Sequence, residues 1–276
     1  MPLPSMKPRY AVFGQPIAHS LSPRIHAMFG AQFGIEVDYR AIETGRDEFA
    51  RALAAFARDG GVGANVTLPL KADAFALCAT RSARAQRCGS VNTLTRDGDA
   101  WRGDSTDGVG FLRDLERLGF DARGRRVLLL GAGGAARAVA FTLVDADPRE
   151  LMIVNRTRER TAELARALRF DGVFGCEPAQ VGTLDGRYDL VVNATSAGHA
   201  GAAFDLPARL LERDALCYDL SYGHAARSFL AWAREAGAKT ASDGLGMLVD
   251  QAAESFAIWH GRRPQTRAIL DALRDC

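Results

Sequence analysis

The stretch Val127-Leu128-Leu129-Leu130-Gly131-Ala132-Gly133-Gly134-Ala135-Ala136-Arg137 decides the architecture. Its apolar run has no polar interruption, as in a strand buried on both faces of a parallel sheet. A glycine turn follows, and small residues open a helix predicted over 135–145. Gly131, Gly133 and Ala136 stand in a G-x-G-x-x-A frame. There the first glycine permits a tight turn, and the second leaves room for a pyrophosphate against backbone N–H groups. The small third residue lets helix pack on strand. Glycines also serve purely steric turns, so context matters: a strand precedes, a helix follows, and a further strand is predicted over 151–155. The stretch reads as the start of a Rossmann unit.

The same rhythm extends in both directions. Strands are predicted at 9–14, 37–42 and 63–67, with helices at 22–33, 48–58 and 71–79 between and after them. Further helices are predicted at 109–118 and 157–168, and buried strands at 126–130, 188–193 and 216–220. Such alternation predicts parallel neighbours and the α/β class. Two last helices, 245–259 and 265–274, have no strand between them. Polar, glycine-containing interruptions at 106–108 and 242–244 mark the expected boundaries. The expected plan is an N-terminal α/β domain, residues 1–107 with 243–276, carrying an inserted dinucleotide-binding domain, residues 108–242. The C-terminal helices return to the first domain.

Composition narrows the function. The chain of 276 residues is 47% hydrophobic and 25% charged, which excludes a disordered, fibrous or polytopic membrane protein. Lys and Arg number 35 against 33 Asp and Glu, a difference of +2, so neither nucleic acid nor a membrane surface is an expected partner. The 5 cysteines are scattered, with no C-x-x-C pair, which fits a reducing compartment. No apolar run of signal-peptide length occurs near the N-terminus, and the expected location is the cytoplasm. His19, His26, His199, His224 and His260 lack ligand spacing, so they read as structural and no metal is expected.

The strand after the glycine turn ends at Asn155-Arg156-Thr157. An NAD-type site carries an acidic residue there, to bond the ribose 2′-hydroxyl. Here Arg156, Arg158 and Arg160 stand instead. With a helix starting at Thr157, Arg156 and Arg160 fall one turn apart and could share a 2′-phosphate. Arginines at a helix start can also be merely solvated, but the balance favours NADP.

Four N-terminal segments place polar residues where core packing does not need them. Gly14-Gln15-Pro16-Ile17-Ala18-His19-Ser20-Leu21-Ser22-Pro23 connects a strand to a helix. Ser22 suits the N-cap, whereas Ser20 and His19 have no such local explanation. Asn65-Val66-Thr67-Leu68-Pro69-Leu70-Lys71 lies at the C-terminal end of a strand, where α/β sheets bind ligands. Val91-Asn92-Thr93 and Thr106-Asp107-Gly108 follow. Taken alone, Lys71 could be a solvated helix-start residue, and Asp107 could cap a helix at Val109.

Taken together, these segments resemble a known family. The series continues with Gly131-Ala132-Gly133-Gly134-Ala135, Asn155-Arg156-Thr157 and Asn193-Ala194-Thr195-Ser196. It ends with Asp243-Gly244-Leu245-Gly246-Met247-Leu248, then Gln251-Ala252. All appear in the order found in shikimate dehydrogenases, and they run from Gly14 to Ala252. The sequence departs from the common pattern at Ala27, Leu68, Leu70, Ser105 and after Thr195.

The resemblance implies an N-terminal substrate domain and NADPH-dependent reduction of 3-dehydroshikimate to shikimate. It implies Lys71 and Asp107 as the catalytic pair. Ser20 and Ser22 would bind the substrate carboxylate with Tyr222. Asn92, Thr67, Asp107 and Gln251 would hold the ring hydroxyls, with Asn65 nearby. The NADP site would comprise Gly131, Ala132, Gly133, Gly134, Ala135, Asn155, Arg156, Thr157, Arg160, Ala194, Thr195, Leu220, Gly244 and Met247. Arg156 and Arg160 would meet the 2′-phosphate and Met247 the nicotinamide. Alternatives are a quinate/shikimate dehydrogenase of relaxed specificity and a non-catalytic NADP-binding sensor. A homodimer is left open.

Overall fold

The computed structural model describes residues 7–195, 204 and 206–275. The chain forms two compact units, Met1–Asp107 with Val249–Cys276, and Gly108–Leu248.

The first unit is built on a six-stranded sheet of β1 (Arg9–Gly14), β2 (Asp38–Glu43), β3 (Gly61–Val66), β4 (Thr80–Arg81), β5 (Thr93–Asp97) and β6 (Ala100–Asp104). Its order is β2-β1-β3-β5-β6-β4. The parallel pairing expected from strand–helix alternation holds for β2, β1 and β3. It fails beyond them, because β5 runs antiparallel to both β3 and β6. That hairpin has little apolar signal: Leu94 and Trp101 are buried, but Arg96, Asp97, Asp99 and Arg102 surround them. Helices α1 (Ser22–Gln32), α2 (Arg46–Arg58), α3 (Lys71–Leu77) and α4 (Ala83–Cys88) belong to this unit.

Helix α2 shows why the core forms. Phe49, Leu53 and Phe56 recur at helical spacing and are all buried. The rings of Phe49 and Phe56 meet Phe13 of β1 edge-on, with centroids 5.8 and 5.6 Å away. Burying one such side chain contributes about 2–3 kcal/mol. The chain leaves α2 through Gly60, whose φ of +87° lies in the region glycine tolerates.

A second aromatic cluster contains His26 of α1. Its ring stacks on Tyr39 at 4.3 Å and 10° and is fully buried. Burial, with His260 acting in the same direction and Asn65 opposing, lowers its pKa from 6.5 to about 3. The folded state therefore prefers the neutral ring. Its stabilising contribution is complete above pH 6.5 and is lost as pH falls towards 3. Urea titrations between pH 7 and 4 should show stability falling with acid in the wild type and a shallower fall in His26→Phe. Equal slopes would mean that His26 does not set this limb.

The second unit holds β7 (Arg126–Leu130), β8 (Glu150–Val154), β9 (Val173–Cys176), β10 (Tyr188–Asn193), β11 (Leu211–Asp219) and β12 (Thr240–Ser242). All pair in parallel, in the order β12-β11-β10-β7-β8-β9. This is the doubly wound Rossmann order, in which the crevice past the carboxyl ends of the strands at the β7/β10 switch receives the ligand. Helices α5 (Asp107–Arg117), α6 (Gly134–Asp145), α7 (Arg158–Leu168) and α8 (Arg227–Glu235) follow the chain between strands. The short strands β9 and β12 carry few buried residues, which hid them from an apolar-run reading.

Helix α9 (Leu245–His260) contributes to both units, and α10 (Arg267–Arg274) lies in the first. A Cβ on Gly246 would collide with the Asp114 carboxylate. Asp114 also accepts a 2.5 Å hydrogen bond from Tyr218. These contacts keep the first turn of α9 with the Rossmann unit, so the compact units divide after Leu248 rather than at 242–244.

Candidate active site

The first unit gathers a buried polar cluster at the ends of β3, β5 and β6. Lys71 opens α3, directly after the β3 strand-end segment, and Asp107 opens α5. The Lys71 ammonium lies 2.6 Å from Asp107 Oδ2, with the two side chains only 12% and 6% exposed. The other carboxylate oxygen, Oδ1, accepts a 2.9 Å hydrogen bond from Asn92. Asp107 is thus engaged at both oxygens and faces Lys71. It begins the helix itself instead of capping one at Val109. An ion pair this buried persists only if its remaining hydrogen-bonding capacity is met, and Asn92 supplies part of that.

Asn92 is in turn over-determined. Its amide nitrogen also lies 2.8 Å from Thr106 Oγ1 and 3.1 Å from Gln251 Oε1. Its oxygen accepts from the Thr106 backbone N–H at 2.8 Å and from the Thr93 hydroxyl at 3.0 Å. Asn65 donates from Nδ2 to the Asn92 carbonyl and to Ser255 Oγ, at 3.1 and 2.9 Å. The structure therefore unites Lys71, Asp107, Asn92, Gln251 and Asn65 in one network. It adds Thr93, Thr106 and Ser255, which sequence reasoning missed. Ser255 carried a signal, since it stands four residues after Gln251 on α9, on the same helical face. Thr93 and Thr106 are immediate neighbours of Asn92 and Asp107.

The serine segment differs from expectation in one respect. Helix α1 starts at Ser22 with Leu21 at its N-cap position and no side-chain cap. It is Ser20 whose hydroxyl accepts from the Ser22 backbone N–H, at 3.3 Å. Pro23 fits the first turn because it lacks the N–H that would otherwise be orphaned. Ser22 is buried and Ser20 half-buried. Thr67 is half-buried and bridges the loop through backbone bonds to Phe13 and Leu70.

In the second unit the turn after β7 has the anticipated form. Gly131 has a φ of +112°, and a Cβ there would approach the Ala194 carbonyl oxygen at 2.9 Å. Gly133, at the N-cap of α6, has nothing within 4 Å of a built Cβ and no side chain capping the helix. Its exposed position and the first-turn N–H groups of Gly134 and Ala135 suit a phosphate. Ala136 is fully buried. Ala132 is buried as well.

Around the neighbouring strand ends, Thr195 donates backbone and hydroxyl protons to Asn193 Oδ1, at 3.1 and 2.7 Å. Asn193 donates to Asp219 at 2.8 Å. Burial raises the Asp219 pKa from 3.8 to about 6, against the opposing bonds from Asn193 and Ser221. The Leu220 N–H donates to the Asn193 carbonyl, and the Gly244 N–H to that of Ser221. Tyr222 precedes a short 3-10 helix, Gly223–Ala226, and Met247 is buried in the first turn of α9. Ser196, Ala197, Gly198 and His199 lie outside the described residues.

The arginine segment requires a correction. Thr157 is extended, with φ −102° and ψ 106°, and α7 begins at Arg158. Arg156 therefore precedes the helix and does not sit one helical turn below Arg160. The Asn155 side chain, donating to the Thr157 carbonyl at 3.0 Å, holds the bend. Arg156, Arg158 and Arg160 are all exposed. Among the described residues none of the three pairs with a carboxylate, which leaves their guanidinium groups available to an anion.

Three stretches of the chain match known family models. Residues 12–94 match the shikimate dehydrogenase substrate binding domain. Residues 115–215 match the shikimate / quinate 5-dehydrogenase model, and 244–274 the shikimate 5′-dehydrogenase C-terminal domain. The shikimate dehydrogenase (NADP(+)) of Stenotrophomonas maltophilia R551-3 is 55% identical over 98% of this chain and 96% of its own length. Among solved structures, an Ael1 enzyme from Pseudomonas putida is 42% identical with a TM-score of 0.87, covering 96% of this chain and 97% of its own. The Thermus thermophilus shikimate 5-dehydrogenase in complex with NADP(H) and shikimate is 34% identical, with a TM-score of 0.81 and coverage of 97% and 98%. With relatedness spanning nearly every residue, and not the glycine turn alone, the chain belongs to the shikimate dehydrogenase family.

Proposed function

We propose that this protein catalyses the reversible, NADPH-dependent reduction of 3-dehydroshikimate to shikimate. The observation that carries the reading is the buried Lys71–Asp107 pair, held by Asn92, in a chain of this family. NADPH, when bound, supplies the hydride. As the ketone is reduced, negative charge develops on its oxygen and needs both a counter-charge and a proton. The Lys71 ammonium can provide each. Asp107, 2.6 Å from the ammonium, orients it towards the reacting oxygen. Removal of a proton from the substrate hydroxyl by the same pair serves the reverse direction.

The unit containing β1–β6 binds the substrate in this reading. Ser20 and Ser22 take the carboxylate, and Thr67, Asn92, Asp107 and Gln251 take the ring hydroxyls, with Asn65 supporting. The unit containing β7–β12 binds NADP. The α6 N-terminus and Gly131, Ala132, Gly133, Gly134 and Ala135 face the pyrophosphate, while Asn155, Arg156, Thr157 and Arg160 form the 2′-phosphate end. Ala194, Thr195, Leu220, Gly244 and Met247 line the remainder. Steady-state assays with shikimate and quinate, each with NADP and NAD, test the reading. Turnover should be greatest with shikimate and NADP, and absence of turnover with that pair would overturn it.

Ser20→Ala should raise the shikimate KM about 10-fold, the low end for a hydrogen bond to a charged group. Because Ser20 also accepts the Ser22 N–H, a loss of folding stability of about 0.5–1 kcal/mol should accompany it. A normal KM with lowered stability would leave Ser20 only its local role.

A further inference from the structure

The Asn65 amide has a fixed direction. One Nδ2 hydrogen points to the Asn92 carbonyl at 3.1 Å, and a carbonyl oxygen can only accept. Asn65 Oδ1 must then face the other way, where the Tyr39 hydroxyl lies at 2.8 Å. Tyr39 is consequently the donor, and its single phenolic proton goes to Asn65. Burial pushes the Tyr39 pKa well above 10, so this proton stays in place across the working pH range. The ring cannot easily swing away, since it stacks on His26 at 4.3 Å and lies 6.4 Å from Trp259. The second Nδ2 hydrogen faces both Ser255 Oγ and Thr93 Oγ1, at 2.9 and 3.2 Å, and Thr93 reaches the Asn92 side chain that holds Asp107.

We infer that Tyr39, on the outermost strand β2, is a positioning residue: its phenol locks Asn65 and, through it, the Asn92–Asp107 side of the substrate site. Nothing in the local sequence marks it, because a tyrosine in a strand is ordinary. The inference rests on the reading of Asn92, Asp107 and Lys71 as substrate-side groups. Deleting the hydroxyl leaves the buried Asn65 oxygen without its donor and frees the amide to rotate, while the ring stack remains.

The test is a double-mutant cycle on the full chain. Tyr39→Phe should lower kcat/KM for shikimate about 10-fold, leave the NADP KM within twofold of wild type, and remain folded by circular dichroism. In an Asn65→Ala background the same change should cost less than twofold, because the phenol acts through that amide. Calorimetric binding of shikimate to Tyr39→Phe without cofactor provides an independent measure, with affinity expected to fall several-fold. Full activity and unchanged affinity in Tyr39→Phe, or the full 10-fold loss repeated in Asn65→Ala, would overturn the inference. An inactive wild type would instead refute the proposed function, so the two failures are distinguishable.

Discussion

Lys71→Ala is expected to lower kcat by about 10²-fold or more while barely changing the shikimate KM. The lost interaction matters chiefly when charge has developed on the reacting oxygen. The structure adds a second consequence. Asp107 would remain buried with Asn92 bound to one oxygen and no cation on the other. Loss of one partner from a buried ion pair costs about 3–5 kcal/mol, because it leaves the other charge uncompensated. The thermal transition should therefore drop in Lys71→Ala. Adding Asp107→Asn should recover much of that stability, because a neutral amide can stay bonded without a counter-ion. It should not recover kcat. Melting curves and initial rates on the single and double variants separate the contributions, and restored turnover in the double variant would remove Lys71 from the chemistry.

Arg156→Ala should raise the KM for NADP about 10- to 100-fold, from the loss of one charge-assisted hydrogen bond of about 1.5–3 kcal/mol. NAD lacks the phosphate and should respond little. Arg156 precedes α7 and Arg160 belongs to its first turn, both exposed and without carboxylate partners among the described residues. Their long side chains, rather than a shared helical face, must bring the charges to one anion. Increasing salt should weaken NADP binding more in the wild type than in the variant, since the removed interaction is a screened one. Equal damage with NAD and NADP would show that Arg156 supports the fold or the common part of the nucleotide.

The sequence by itself determined the class of fold, the glycine turn and most strand-and-helix positions. These depend on local causes: continuous apolar residues at 127–130, the 4-and-3 spacing of Phe49, Leu53 and Phe56, and glycines where the chain turns. It also placed Lys71, Asn92 and Asp107 among the candidates, through motifs at separate places in the chain. Only tertiary structure decided what those residues are to one another. Lys71 and Asp107 are 36 positions apart and meet at 2.6 Å because the ends of β3 and β6 fall in the same sheet. The antiparallel β5–β6 hairpin was illegible because one half-buried face gives too little periodic signal. The N-cap assignment of Ser22 failed because cap identity depends on backbone angles, and Thr157 misled for the same reason. Tyr39 and Ser255 were least legible of all. Their roles come from single hydroxyl groups aimed at Asn65, and direction in space is a property that residue type does not encode.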